Sequence, residues 1–460
     1  MYRRNILNEL TKWKNSVSRK PLVLRGVRQV GKTTAIELFA QNYAQYIYLN
    51  LERAIDRKLF TRNLSAKELL QAIFLQYNQN WEYRSNTLLF LDEIQEAPEA
   101  LVMLRYFYED FPEIHIVTAG SFLETIFDKG INFPVGRVEF RVLHPFCFSE
   151  FLDAMGESQV LELYNTIPLP FFAHDRLLQL FHMYALIGGM PEVVKSYVEN
   201  RDLTKLRNVF ESLLTTYFND AEKYAVNKNQ VHTIRHAIKA AFYEAGTRIK
   251  FAGFGASAYS SKEMGEALRA IEKTMLIRLV YPTIQPEPPY MPDIKKSPRL
   301  HVVDTGMLNY FSGLQTELIG TKDMNDVYRG KISEHIVGQE FLSSKHNIMN
   351  DLHFWVREKK QSDAATDFLY RFEGSMFPVE VKSGSSGKLR SLFQYLDVSK
   401  TDFAIRLYAG KISMEEHKTL SGKPFKLLNL PYYLSGKLDD YLKLFNYTIP
   451  NSSGVISQSS

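Results

Sequence analysis

Cysteine is almost absent from this sequence: one residue in 460. Cys147 alone cannot close an intrachain disulfide, and His144-Pro145-Phe146 before it offers no metal-ligand spacing, so a reducing compartment is expected. Long apolar runs are also missing. Even Leu88-Leu89-Phe90-Leu91 stops at Asp92, far short of the roughly 18 residues that cross a bilayer. The N-terminus Met1-Tyr2-Arg3-Arg4 is charged, but Asn8, Glu9, Lys12 and Lys14 interrupt the apolar stretch that an export signal needs. A cytoplasmic protein with no membrane partner is the expectation. Charge of one sign is scarce: 56 bases against 51 acids leave +5, too little over this length to announce nucleic-acid or membrane binding. No internal repeat of roughly 20 to 50 residues is present, which excludes solenoids and propellers.

What is present is ordinary globular composition, 45% hydrophobic and 23% charged, which excludes collagen-like, wholly disordered and disulfide-scaffold chains. At roughly 150 residues per domain the length predicts about three domains. Residues 21–150 alternate short apolar runs (Pro21 to Leu24, Tyr46 to Leu49, Thr87 to Leu91, Ile114 to Val117) with helical patterns, the signature of buried parallel strands in an α/β sheet. Residues 151–225 read as a helical lid. Residues 226–298 read as helix, helix and strand, the outline of a winged helix, followed by a stretch holding six of the 18 prolines between 282 and 298, a stiff linker or wing. Residues 299–450 return to α/β alternation, with strands expected at Leu352 to Val356, Thr366 to Tyr370 and Phe377 to Val381. The Ser-rich tail 451–460 reads as disordered.

The first strand runs into Gly26-Val27-Arg28-Gln29-Val30-Gly31-Lys32-Thr33, which satisfies the Walker A pattern G-x-x-x-x-G-K-[ST], with Thr34 following. Such glycines let backbone N–H groups curl round phosphates. Lys32 would reach the β/γ oxygens, and the Thr33 hydroxyl would ligate Mg²⁺. The apolar strand Leu88 to Leu91 ends in Asp92 and Glu93. Buried paired carboxylates are costly unless they meet a cation, so Asp92 is expected to hold Mg²⁺ through water and Glu93 to polarise the attacking water. Thr118-Ala119-Gly120-Ser121 puts hydroxyls at a strand's carboxyl edge, where Thr118 or Ser121 would sense the γ-phosphate. Arg137 is a candidate charge-stabilising residue, in cis or in trans. ATP and Mg²⁺ are the expected ligands. Gly188-Gly189-Met190-Pro191 reads as a turn ending a helix, and His232 with His236 as an i,i+4 pair without further ligand spacing.

The sequence resembles a family of prokaryotic AAA-type ATP-binding proteins whose C-terminal region has long been labelled a domain of unknown function. The resemblance covers nearly the whole chain. It rests on Leu24 to Thr34, Phe90 to Gln95, Ala119-Gly120-Ser121, Gly136-Arg137, Phe148-Ser149-Glu150-Phe151, Gly188 to Glu192, Asp304 to Leu308, and Glu334-His335-Ile336-Val337. The sensor strand ends Thr-Ala-Gly-Ser where Thr-Gly-Ser-Ser is usual. The resemblance implies a P-loop AAA core, a helical lid, a winged helix and a restriction-endonuclease-like α/β domain.

Within that last region Asp367, then Glu380-Val381-Lys382 on the next apolar strand, look like a PD-(D/E)XK core. Strand periodicity puts Glu380 and Lys382 on one face, and Glu334 would be the outer acid. That arrangement would take a second Mg²⁺ or Mn²⁺. Two readings follow. One is an ATPase (a hydrolase) whose nucleotide state controls a DNA-facing winged helix and the nuclease-like domain. The other is a nucleic-acid-binding or scaffold protein with slow or no turnover and an inert C-terminal domain. Residues 226–283 carry nine bases against four acids, the whole formal excess of the chain, so DNA contact is expected there and in the C-terminal domain. Docking of that face on the protein's own surface, and a homo-oligomer, stay open.

Overall fold

In the computed structural model, which describes residues 1–62, 64–120, 136–225, 227–314, 330–357, 364–382 and 389–445, the four early apolar runs become strands. They are β1 (Leu22–Arg25), β2 (Gln45–Asn50), β3 (Thr87–Asp92) and β4 (His115–Gly120), joined by β5 (Glu139–Val142). All pairings are parallel and the order is β2-β3-β4-β1-β5, a P-loop-like arrangement. Every residue of β3 and β4 is buried because helices cover both faces of the sheet. Alternate residues divide between those faces. Leu22, Leu24, Leu88 and Phe90 pack with helices Ile6–Lys14 and Lys32–Ala40, whereas Val23, Leu89 and Leu91 pack with helices Ala66–Gln76 and Pro98–Asp110. β5 escapes the apolar-run pattern because only Val142 of its four residues is buried.

Neither expected boundary at 150/151 or 298/299 is a seam. Helix Phe148–Ala154 straddles the first and opens a helical region that ends with helix Leu206–Tyr224. Next come helix Lys228–Glu244 and helix Ser261–Lys273, the latter started by a reciprocal Ser260–Glu263 capping box. Then β6 (Ile277–Val280) pairs antiparallel with β7 (Arg299–Val302), so this helix–helix–hairpin unit runs through Val302. The proline-rich stretch is the loop of that hairpin, not a linker between domains. Thr283 N–H donates to Phe354 O at 2.8 Å, Trp355 Nε1 to Ile284 O at 3.0 Å and Tyr395 Oη to Pro286 O at 3.2 Å. The Thr283 N–H and the carbonyls of Ile284 and Pro286, the last kept by a residue that has no N–H to give, fasten the loop to the C-terminal region.

The C-terminal region begins with helix Lys331–Ser343. The strand expected over Leu352 to Val356 is reduced to β8 (Val356–Arg357), which pairs with β9 (Ala364–Ala365), and to single bridges at His353 and Trp355. A mixed sheet follows in the order β10-β11-β12-β14-β13, from β10 (Phe368–Phe372), β11 (Ser375–Val381), β12 (Phe403–Tyr408), β13 (Ser413–Lys418) and β14 (Pro424–Pro431). One continuous apolar core runs from Ile6 to Leu442 through all these parts. Among the described residues no single helix is long and apolar enough to cross a membrane. Residues 383–388 and 451–460 lie outside the described residues.

Candidate nucleotide site and acidic cluster

The phosphate loop joins β1 to helix Lys32–Ala40, whose N-cap is Gly31 at φ 90° with no side-chain cap, so the first-turn N–H groups face the loop. Gly26 must be glycine: a Cβ there would lie 2.4 Å from Leu143 O. Lys32 is buried and donates to Gly26 O at 2.8 Å and Val27 O at 3.0 Å. Burial lowers its pKa to about 8, against the pull of Glu93 and Asp92. Thr33 Oγ1 donates to Asp92 Oδ2 at 2.7 Å, bringing the two expected Mg²⁺ ligands together. Burial raises the Asp92 pKa, the Thr33 hydrogen bond opposes this, and Glu93 adds to it. Glu93 stands in the left-handed region at φ 51°, its N–H on Asp92 Oδ1 at 3.0 Å and its carboxylate held by Gln95 Nε2. A non-glycine residue held there costs about 1–3 kcal/mol, and the Gln95 hydrogen bond sets the direction of the carboxylate. Thr118 Oγ1 and Gln95 Oε1 are buried without a hydrogen-bond partner, as expected of groups that would meet a ligand or its water. Hydroxyl, carboxylates, buried ammonium and helix N-terminus form a donor set that fits ATP and Mg²⁺.

Ser121 lies outside the described residues. Arg137 does not join this site. It precedes β5, whose Glu139 is level with Leu22, so it stands at the amino edge of the sheet, roughly 20 Å of strand rise from the phosphate loop. There it pairs with Glu109 at 3.0 Å. A role in cis is thereby corrected, because parallel strands put the two residues at opposite edges.

Two residues that the motif does not contain hold the loop. Arg4 is buried, donates to Val30 O at 2.9 Å and His144 O at 2.6 Å, and pairs with Glu150 at 3.1 Å. Asp220, on helix Leu206–Tyr224, pairs with Arg28. Neither carries a sequence signal, since both act through distant backbone and side-chain partners. Cys147 is buried as the N-cap of helix Phe148–Ala154, and burial raises its thiol pKa well above the usual value.

The second group also converges. Asp367 sits immediately before β10 rather than on it, and its Oδ2 accepts the Val381 N–H at 2.8 Å. Lys382 Nζ meets Glu380 Oε1 at 2.7 Å, while Glu380 Oε2 is buried without a partner. Glu334 comes from the first turn of helix Lys331–Ser343. Burial, then repulsion from Asp367, raises the pKa values of Glu334 and Glu380; burial also raises that of Asp367. Arg299 on β7, absent from the expected set, donates to Asp367 O at 2.5 Å, and its guanidinium lies 4.5 Å from the Phe354 ring centre. Among the described residues no three His, Cys, Asp or Glu side chains form a ready metal cage.

The motifs at Gly188-Gly189 and Asp304 to Leu308 meet Gln339 and Glu340, which no motif contained, in a buried network. Asp304 accepts from Gly189 N–H at 2.6 Å and Met307 N–H at 3.0 Å. Glu340 accepts from Phe148 N–H at 2.7 Å and Tyr184 Oη at 2.9 Å. The network ties the nucleotide sheet, the helical region and the helix bearing Glu334 into one body.

Residues 18–152 match the family model described as an AAA domain. Residues 178–318 and 329–432 match models described as domains of unknown function, DUF8612 and DUF4143. No curated protein matches the chain. Among solved structures, the chain is similar to the Walker-type ATPase PABY2304 of Pyrococcus abyssi, with 14% identity and TM-score 0.43 over 68% of this chain and 96% of that one. It is also similar to a signal-transduction ATPase with a tetratricopeptide repeat sensor, PH0952 of Pyrococcus horikoshii, with 12% identity and TM-score 0.29 over 74% and 45%. A third is the ORC1 protein of Aeropyrum pernix in complex with DNA, with 12% identity and TM-score 0.29 over 68% and 93%.

Proposed function

We propose that this chain is a cytoplasmic, Mg²⁺-dependent ATPase whose nucleotide state is passed to a DNA-facing winged helix, residues 226–302, and to a nuclease-like C-terminal domain. The observation that carries the ATPase reading is the 2.7 Å contact of Thr33 with Asp92 beside the buried Lys32. Thr33 and Asp92 would hold Mg²⁺, which when bound neutralises charge on the β/γ-phosphates. Lys32 and the loop N–H groups bind those phosphates, Glu93 orients the attacking water, and Thr118 senses the terminal phosphate. Arg137 serves only in trans, at a neighbour's site in a homo-oligomer. ATP turnover is the test, with Lys32→Ala and Glu93→Gln; equal rates in wild type and both variants reject the reading.

For DNA, exposed Lys239, Lys250 and Lys262 are the phosphate-contacting candidates, and binding through them should weaken with salt. Convergence of Asp367, Glu380 and Lys382 supports the nuclease-like reading, where two carboxylates would take Mg²⁺ or Mn²⁺ and Lys382 would orient water. The competing reading, an inert domain in a binding or scaffold protein, is favoured by Arg299, whose charge already offsets those of Asp367 and Glu334. Metal-dependent DNA cleavage by wild type but not by Glu380→Ala decides for the former; cutting that persists in the variant rejects the assigned site.

A further inference from the structure

Behind the phosphate loop, the end of β1, the helix–helix–hairpin unit and helix Lys331–Ser343 enclose a cavity of about 380 Å³. Sites for small molecules span roughly 300 to 1,000 Å³. Four cations line it: Arg25 from β1, Arg269 and Lys273 one turn apart on helix Ser261–Lys273, and Arg278 from β6. Two carboxylates face them, and both are engaged. Glu272 accepts the Leu279 N–H at 2.7 Å, and Asp351 takes Arg278 at 2.6 Å and the Leu352 N–H at 2.7 Å. The sign of the field shows in two buried histidines of the wall. Burial pushes the His144 and His301 imidazoles well below their usual pKa, and Arg278 pushes both further. His301 stacks on His335 at 4.1 Å and has its Nε2 buried without a hydrogen-bond partner. The remaining wall is apolar, with Val142, Pro145, Ile277 and Leu342.

The geometry points to a second ligand site here, for a small phosphate-bearing molecule of nucleotide size, separate from ATP in the phosphate loop. Phosphate answers the cation excess, and an uncharged ring or sugar answers the apolar wall. Three of the bases counted in the DNA-facing segment, Arg269, Lys273 and Arg278, are thereby turned inward. Arg25 directly precedes Gly26, so the ligand touches the root of the phosphate loop, the helix–helix–hairpin unit and the helix that bears Glu334 at once. It is an effector site by position.

The test uses the full chain saturated with Mg²⁺ and a non-hydrolysable ATP analogue, titrated calorimetrically with AMP and, separately, with inorganic pyrophosphate. One equivalent should bind, more weakly as salt rises, and Arg269→Ala/Lys273→Ala should weaken it by about tenfold or more at unchanged melting temperature. Preference for AMP indicates a nucleotide, and preference for pyrophosphate a phosphate group alone. No saturable binding of either probe, or an equal loss in Lys239→Ala outside the cleft, overturns the proposal. So does a single-stranded oligonucleotide that binds through Arg269 and Lys273 more tightly than both. If the ATP analogue fails to bind, the ATPase reading falls, and the same titrations on the bare chain still decide the cleft.

Discussion

Arg28, in the middle of the phosphate loop, lies 2.5 Å from the carboxylate of Asp220 on helix Leu206–Tyr224. Tyr217 Oη on the same helix donates to Arg28 O at 3.2 Å, and Glu52 approaches the guanidinium at 3.9 Å. The helical region therefore grips the loop that must receive phosphate. Asp220 is buried with Oδ2 unpaired, so Arg28 is the cation its carboxylate meets. Asp220→Asn removes the charge and leaves the shape. We expect the KM for ATP to rise about three- to tenfold with kcat within about twofold, the pattern of an interaction that holds the loop before and during the reaction alike. Unchanged KM would make the pair structural only.

Gly306 sits in a helix where glycine is otherwise unfavourable. A Cβ there would be 2.0 Å from Ile187 O and 2.6 Å from Gly188 N, both backbone atoms that cannot step aside. Gly306→Ala should cost about 3 kcal/mol or more, through separation of the packed helix ends. Gly313→Ala has open space around its Cβ but a φ of 72°, and should cost only about 1–2 kcal/mol. Urea unfolding of the two variants checks the contrast; equal losses would show that the helix ends shift freely.

The nucleotide site was legible because its chemistry is local. Lys32 and Thr33 lie on one loop, Asp92 and Glu93 at one strand end, and continuous apolar runs announced β1 to β4. What escaped depends on pairs far apart in sequence. Arg4 with His144, Arg28 with Asp220 and Arg299 with Asp367 join residues from different parts, and no periodicity encodes that. Arg137 misled because sequence order does not say which edge of a parallel sheet a residue occupies. The proline-rich stretch was read by its stiffness, whereas its carbonyls decide its place. The charge excess was located correctly in sequence, but ion pairs to Glu222 and Asp351 and the inward cleft divide it in space.

Arg299 neutralises a group of carboxylates whose own burial favours their protonated forms. Its removal by Arg299→Met keeps much of the packing on Phe354 and deletes the cation. If Asp367 and Glu380 are metal ligands, Mn²⁺ affinity should rise by about tenfold in this variant, since a divalent ion no longer competes with the guanidinium. Paramagnetic titration of Mn²⁺ reads this directly. No gain in Arg299→Met, or a gain that survives Glu380→Gln, would count against metal binding there.

Glu340 supplies a pH dependence with a definite sign. Burial raises its pKa to about 8, against the hydrogen bonds from Tyr184 and the Phe148 N–H; in the unfolded chain a Glu titrates near about 4.3. Between those values the folded chain keeps a proton that the unfolded chain has lost, so stability is greatest at the acid end of this window and falls as pH rises towards about 8. Asp304, raised to about 6 by burial, acts in the same direction. Glu340→Gln places a neutral amide where the protonated carboxyl stood, with an oxygen that still accepts from Tyr184 and Phe148. The variant should match wild type near pH 5 and exceed it near pH 9 by on the order of 2–4 kcal/mol. Denaturant unfolding from pH 5 to 9 measures the two slopes. Parallel slopes would mean that Glu340 ionises inside the fold at no cost, and that the contact between Phe148 and the helix bearing Glu334 does not depend on its proton.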